Sequence, residues 1–167
     1  METRYSAHTL NDARFGDHIC WLCDSSTDSE SFIVQFLETA LERGEAVLYL
    51  YHMHDPKRLI CGRNPELERA LSSGQIVFES AINVFLPTGF LHPEEAINTL
   101  SKYVERSKKA GFRCLRIVTE MTWVFEAALG AERIAEYEHR LQTELLSKGE
   151  SLLLAKYDRQ YFKPGLL

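Results

Sequence analysis

Several of the features that mark nucleotide- and metal-handling proteins are missing from this chain. Between Gly16 and Gly44 there is no glycine, and between Arg14 and Arg43 there is neither lysine nor arginine. A phosphate-cradling loop needs glycines so that backbone N–H groups can approach the anion, and a lysine to neutralise it. A working phosphate loop is therefore excluded from the place where an α/β protein would carry it. The chain also lacks a G-x-S-x-G elbow, an H-E-x-x-H pair and a Gly-rich dinucleotide fingerprint. Cysteine is sparse, with Cys20, Cys23, Cys61 and Cys114. Cys20 and Cys23 form a C-x-x-C with no second copy, and on a regular strand the two point to opposite faces, so a structural zinc site through them is disfavoured. In a cytoplasmic chain such thiols read as buried rather than bridged. No apolar run approaches the roughly 20 residues that span a bilayer. "METRYSAHTLNDARF" lacks the apolar stretch of a signal peptide, so cytoplasmic localisation and no membrane contact are expected. Positive charge is not in excess: 19 Lys and Arg against 24 Asp and Glu give a net charge of -5. With the basic residues scattered, direct nucleic-acid binding is not expected.

What is present is an ordinary soluble composition, 45% hydrophobic and 26% charged, in a 167-residue chain that suits one domain. Residues 1–15 are polar and irregular and read as an arm. "HICWLC" (18–23) reads as a short buried strand. A helix over about 28–43 carries Ile33, Phe36, Leu37, Ala40 and Leu41 on one stripe. Thr27 and Glu30 have capping-box spacing, and Gly44 stops the helix. "AVLYLY" (46–51) is a continuous apolar run of the kind a doubly covered parallel strand shows. A short helix over 65–74 and a strand over 75–80 follow, then an apolar loop over 83–92. Pro93 opens a helix to about Ala110, "CLRIVTEMTW" (114–123) is a strand running into a turn, 131–148 is a helix, and "SLLLAKY" (151–157) is a fifth strand. This alternation predicts an α/β, three-layer αβα domain with a mostly parallel sheet of about five strands, over residues 16–167.

Ligands of such sheets bind beyond the strands' carboxyl ends. That rule selects Cys23 to Ser26, Tyr51 to His54, Glu120 to Trp123 and Tyr157 to Arg159, which are expected to converge on one edge. Together they offer thiol, imidazole, carboxylate, indole and phenol, an aromatic wall with polar anchors suited to a small, partly apolar ligand. His18 and Cys20 share a strand face and read either as ligand contacts or as core. His52 and His54 in "YHMHDP" are the best metal-ligating pair, to be completed by Cys23 or Glu120, or else are two histidines of a solvated turn. Glu120 ends an apolar strand; without a phosphate loop beside it, it binds a ligand or caps the turn through Thr122. Met121 and Trp123 line the pocket or belong to the core. Asp158 and Arg159 read as a surface ion pair, and Phe85, Leu86, Phe90 and Leu91 as a lid or partner surface.

"GDHICWLC", "FLETALERGEAVLYLY", "LRIVTEMTW" and "YDRQYFKPGLL" resemble, in order over residues 16–167, the MEDS domain, the sensory domain of DcmR-type regulators of methanogens and methylotrophs. "QFLETALERGEAVLYL" is also similar to the matching helix and strand of KaiC/RecA-type ATPases, which implies a RecA-like core with a degenerate phosphate loop. The resemblance implies a non-enzymatic sensor that binds a small hydrocarbon derivative, uses no cofactor, and signals through a histidine kinase, an anti-sigma factor or a transcription regulator, with a homodimer possible. Matched positions are His18, Cys20, Glu120, Met121, Thr122, Trp123, Tyr157 and Asp158; with Cys23, Tyr51 and His52 they make up the expected ligand site. No output module follows "FKPGLL", so the chain is expected to act through another protein or to be a fragment of a longer one. The competing expectations are a metal-dependent hydrolase or remnant NTPase using His52, His54 and Glu120, and a protein–protein adaptor.

Overall fold

Five strands, each an apolar run in the sequence, pair in one all-parallel sheet of order β1-β5-β4-β2-β3 in the computed structural model, which describes residues 13–24, 27–126 and 131–162. They are β1 (His18–Cys23), β2 (Ala46–Tyr51), β3 (Ile76–Ser80), β4 (Leu115–Glu120) and β5 (Ser151–Asp158). After β1 comes helix α1 (Thr27–Glu42); α2 (Lys57–Ile60) and α3 (Pro65–Ser73) join β2 to β3. After β3 come α4 (Ala81–Phe85) and α5 (Pro93–Lys109). A 3₁₀ segment (Met121–Phe125) and α6 (Ala131–Arg140) follow β4, and α6 runs on through a π turn (Leu141–Leu145) and a 3₁₀ turn (Leu146–Lys148). The expected α/β three-layer architecture is thus present, with every strand parallel.

Two cores lie on the two faces of the sheet. On the first, Ile33, Phe36, Leu37 and Ala40 of α1, Ile60 of α2 and Leu67 of α3 cover Val47, Tyr49, Val118, Leu152 and Leu154. On the second, Phe85 of α4, Ile97 and Leu100 of α5 and Tyr137 of α6 cover Leu48, Leu50, Ile117, Leu153 and Ala155. The central strands feed both cores, which is why their runs are apolar at every position. From β2 the chain leaves toward the first face, and from its neighbour β4 toward the second. The crevice between their carboxyl ends is the topological switch point, where open parallel sheets bind ligands.

Local chemistry sets the helix ends. Asn64, which the sequence reading passed over, caps α3: its Oδ1 accepts from the N–H groups of Glu66 and Leu67, both at 3.1 Å. Gly74 ends that helix in the left-handed region at φ 78°. The Thr27–Glu30 capping box cannot be placed, because residues 25 and 26 and the Thr27 side chain lie outside the described residues, as do 1–12 of the expected arm.

Two expectations need correction. β1 is not a buried strand but an edge strand, with Cys20 exposed and Leu22 43% exposed. Nor is 83–92 an apolar surface loop. Its first part is α4, and Val84, Phe85, Leu86 and Leu91 are buried in the second core, leaving Phe90 as the exposed large apolar residue. The segment is apolar because it helps to close the layer between β3 and α5.

Candidate functional site at the carboxyl edge of the sheet

Glu120 is the last residue of β4, and the period of two puts it on the same face as Val118. In register it opposes Lys156 of β5. Tyr49 of β2 opposes Val118, one pleat earlier. These positions focus donors on one carboxylate. Glu120 Oε1 accepts from the Tyr49 hydroxyl at 3.1 Å and from Lys156 Nζ at 3.2 Å. Its Oε2 accepts from the backbone N–H groups of His52 at 3.0 Å and Met53 at 3.4 Å. A carboxylate has about four acceptor sites, and all four are taken. Glu120 therefore ties the ends of β2, β4 and β5 together. Burial, and then the adjacent Glu120 charge, push the Tyr49 phenol well above its ordinary range and keep it a hydrogen-bond donor.

Above this knot lies a cavity of about 450 Å³, within the range that holds small ligands. Ile33, Met53, Pro56 and Leu59 supply its apolar lining. Tyr49, His54, Glu120, Thr122, Lys156 and Asp158 supply much of its polar lining. At the mouth Arg58 pairs with Glu30 at 3.1 Å.

The sheet divides the residues expected to converge. Glu120, Thr122 and Asp158 line the cavity, as does His54. Cys23 is buried beneath it, its thiol pushed up to about 11 by burial. Tyr51 packs into the first core. His52 turns its ring aside, with Nδ1 at 3.0 Å from Thr122 Oγ1 and Nε2 at 3.4 Å from Glu126, so it braces the 3₁₀ segment while His54 faces the cavity. The two histidines diverge, and among the described residues no three His, Cys, Asp or Glu side chains are placed to hold a metal ion. Met121 and Trp123 are buried in the second core, on the far side of the sheet. Asp158 accepts from the N–H of Gln160 at 2.8 Å and shapes the turn after β5. Tyr49, Arg58 and Lys156 are polar cavity-lining side chains that sequence reasoning missed. A lysine at the end of β5 signals a site only once β5 is known to lie beside β4.

His18, Cys20 and Tyr157 gather on the second face around Glu138 of α6. His18 Nδ1 lies 3.5 Å from Glu138 Oε2. Burial pushes the Cys20 thiol up, with Glu138 adding to it, and raises the Tyr157 phenol, with Cys20 and Glu138 adding to it. Burial also lowers the His18 imidazole and raises the Glu138 carboxyl. Both shifts favour the neutral forms, so the contact is not a strong charge pair. Because the folded carboxyl titrates above its ordinary 4.5, ionising it costs the folded state more than the unfolded one. Glu138→Gln is expected to stabilise the protein at neutral pH, and the gain should fade as pH drops below that value. Urea denaturation at pH 4 and pH 7 checks this. Destabilisation at pH 7 would mean that a protonated His18 relies on the carboxylate.

Among the described residues no helix is long and apolar enough to cross a membrane. A family model described as "MEDS: MEthanogen/methylotroph, DcmR Sensory domain" matches residues 17–167. Comparison with curated proteins gives no match.

Proposed function

We propose a ligand-sensing role from one premise: the chain belongs to the MEDS family, a family of sensory domains. The ligand is a small hydrocarbon derivative, held in the carboxyl-edge cavity without chemical change, and the signal passes to an output protein such as a histidine kinase, an anti-sigma factor or a transcription regulator. The observation that carries this reading is the half-apolar, half-polar cavity at the switch point, built around a carboxylate whose acceptor sites are filled by the protein itself. A carboxylate so committed serves poorly as a general base or a metal ligand. On this reading the core is of RecA type, and the sequence of the phosphate cradle has given way to an acidic stretch that carries Asp24 and Glu30.

We place the coupling to an output protein at the cavity rim. Met53 and Tyr161 both line the cavity and lie open on its rim, at 46% and 39% exposure. Leu22 and Phe125, also exposed, follow or end neighbouring strands at the same edge. A ligand pressing on Met53 and Tyr161 changes the surface that a partner reads.

Met53→Trp, at an exposed position, should close the cavity mouth without disturbing either core. Native mass spectrometry of protein purified from cells should show a non-covalent excess mass on the wild type and none on Met53→Trp, with equal far-ultraviolet spectra. Retention of the mass by the variant would move the site elsewhere. Stabilisation of the wild type by magnesium-ATP that Met53→Trp abolishes would replace sensing of a small organic molecule with nucleotide binding.

A further inference from the structure

The balance of charge and of hydrogen-bond donors around the cavity narrows the chemistry of its occupant; this step rests on the sensing site proposed above. Two cations line it, and both are already charge-paired: Lys156 with Glu120 at 3.2 Å and Arg58 with Glu30 at 3.1 Å. With Asp158 the lining carries three carboxylates against two cations, so it holds no surplus positive charge to attract an anion. Donors, by contrast, are in surplus. An ammonium has three N–H groups, and among the described residues Lys156 makes one hydrogen bond, to Glu120. Its side chain is only 19% exposed, so water satisfies the rest poorly. The Tyr49 hydroxyl and the N–H groups of His52 and Met53 are spent on Glu120, and so is every acceptor site of that carboxylate. The unspent N–H groups of Lys156 therefore ask for an acceptor atom, while Ile33, Pro56 and Leu59 ask for a short apolar body.

We propose that the cavity takes a small neutral molecule bearing a carbonyl oxygen, a ketone-, ester- or amide-like compound, with that oxygen hydrogen-bonded to Lys156 and its hydrocarbon part against Ile33, Pro56 and Leu59. The carboxylate analogue of the same skeleton is rejected because it meets an excess of negative charge, and the ammonium analogue offers Lys156 no acceptor.

Three four-carbon probes test this by titration followed through backbone amide chemical shifts: 2-butanone, butyrate and butylamine. In the wild type 2-butanone should move the amides of Met53 and Thr122, butyrate should bind at least about tenfold more weakly, and butylamine, with no acceptor for Lys156, should not bind more tightly. Lys156→Met keeps the apolar stem and removes the donors, and should weaken 2-butanone by about tenfold or more, the loss of one hydrogen bond to a charged group. Lys156→Gln, which keeps N–H donors without the charge, should recover part of the binding. Tighter binding of either ion at these amides, or 2-butanone binding to Lys156→Met as it does to the wild type, overturns the carbonyl assignment and leaves the sensing cavity standing. If none of the three probes moves these amides, the carbonyl assignment falls; if the excess mass is also absent or survives Met53→Trp, the cavity falls with it.

Discussion

Glu45→Ala is expected to lower stability by about 3–5 kcal/mol, the usual cost of stranding one charge of a buried pair. Glu45 precedes β2 and Arg116 is the second residue of β4; they are 2% and 0% exposed. Arg116 Nε donates to Glu45 Oε2, and the guanidinium lies over the Phe36 ring, 4.8 Å from its centroid. Among the described residues Nη1 and Nη2 have no hydrogen-bond partner, so Glu45 is the one anionic anchor there of a cation that cannot reach water. Removing it leaves a permanent positive charge inside the first core, since guanidinium does not deprotonate in proteins. For a domain of this size the loss corresponds to roughly 10 °C or more in Tm. The pair itself is a different matter: replacing both partners by apolar residues of similar volume, Glu45→Leu with Arg116→Met, should recover most of the loss, because it removes two desolvation costs together. Urea denaturation of the single and double variants measures both. A single-variant loss below about 1 kcal/mol would mean that water or a rearranged side chain reaches Arg116.

That pair marks where reading a sequence stops. The apolar runs of β2, β4 and β5 gave these strands directly, and Gly44, Gly74 and Gly149 gave the ends of the elements before β2, β3 and β5. Period and punctuation are local, so local sequence carries them. Strand order is not local. β1 and β2 look alike as apolar hexamers, yet one is an edge and the other a centre, and only the order β1-β5-β4-β2-β3 separates them. The same order decides the site. Placing Glu120 at a strand's carboxyl end was within reach of the sequence. Seeing that Lys156 and Tyr49 close on it required knowing that β4 lies between β5 and β2. Parity was legible in principle: Cys23 lies on one face of β1 and His18 and Cys20 on the other, so one pocket was never going to hold all three side chains. Past the strand end parity fails, as His52 and His54 show: two residues apart, they turn to different sides.

Trp123→Ala should therefore behave as a core mutation, with a loss of about 3–5 kcal/mol from the cavity it leaves. Trp123 is fully buried. Its ring stacks on Phe85 with centroids 4.4 Å apart and an interplanar angle of 19°, and meets Tyr137 edge-on at 6.3 Å. Phe85 and Tyr137 also pack edge to face at 5.5 Å, so three rings from α4, the 3₁₀ segment and α6 close the second core together. Neighbouring Thr122 points the other way, into the carboxyl-edge cavity, where its hydroxyl meets the His52 ring. The 3₁₀ turn is thus a two-sided hinge pin, and damage on the core side reaches the cavity only through the fold. Trp123→Phe separates the two effects. It keeps an aromatic ring on Phe85 and removes an indole N–H that has no partner among the described residues, so it should cost far less than alanine and leave probe binding at Met53 and Thr122 unchanged. Thermal denaturation with the amide titration decides the matter. A Phe variant that is stable yet blind to 2-butanone would put the indole at the ligand and move the sensing site to the second face of the sheet.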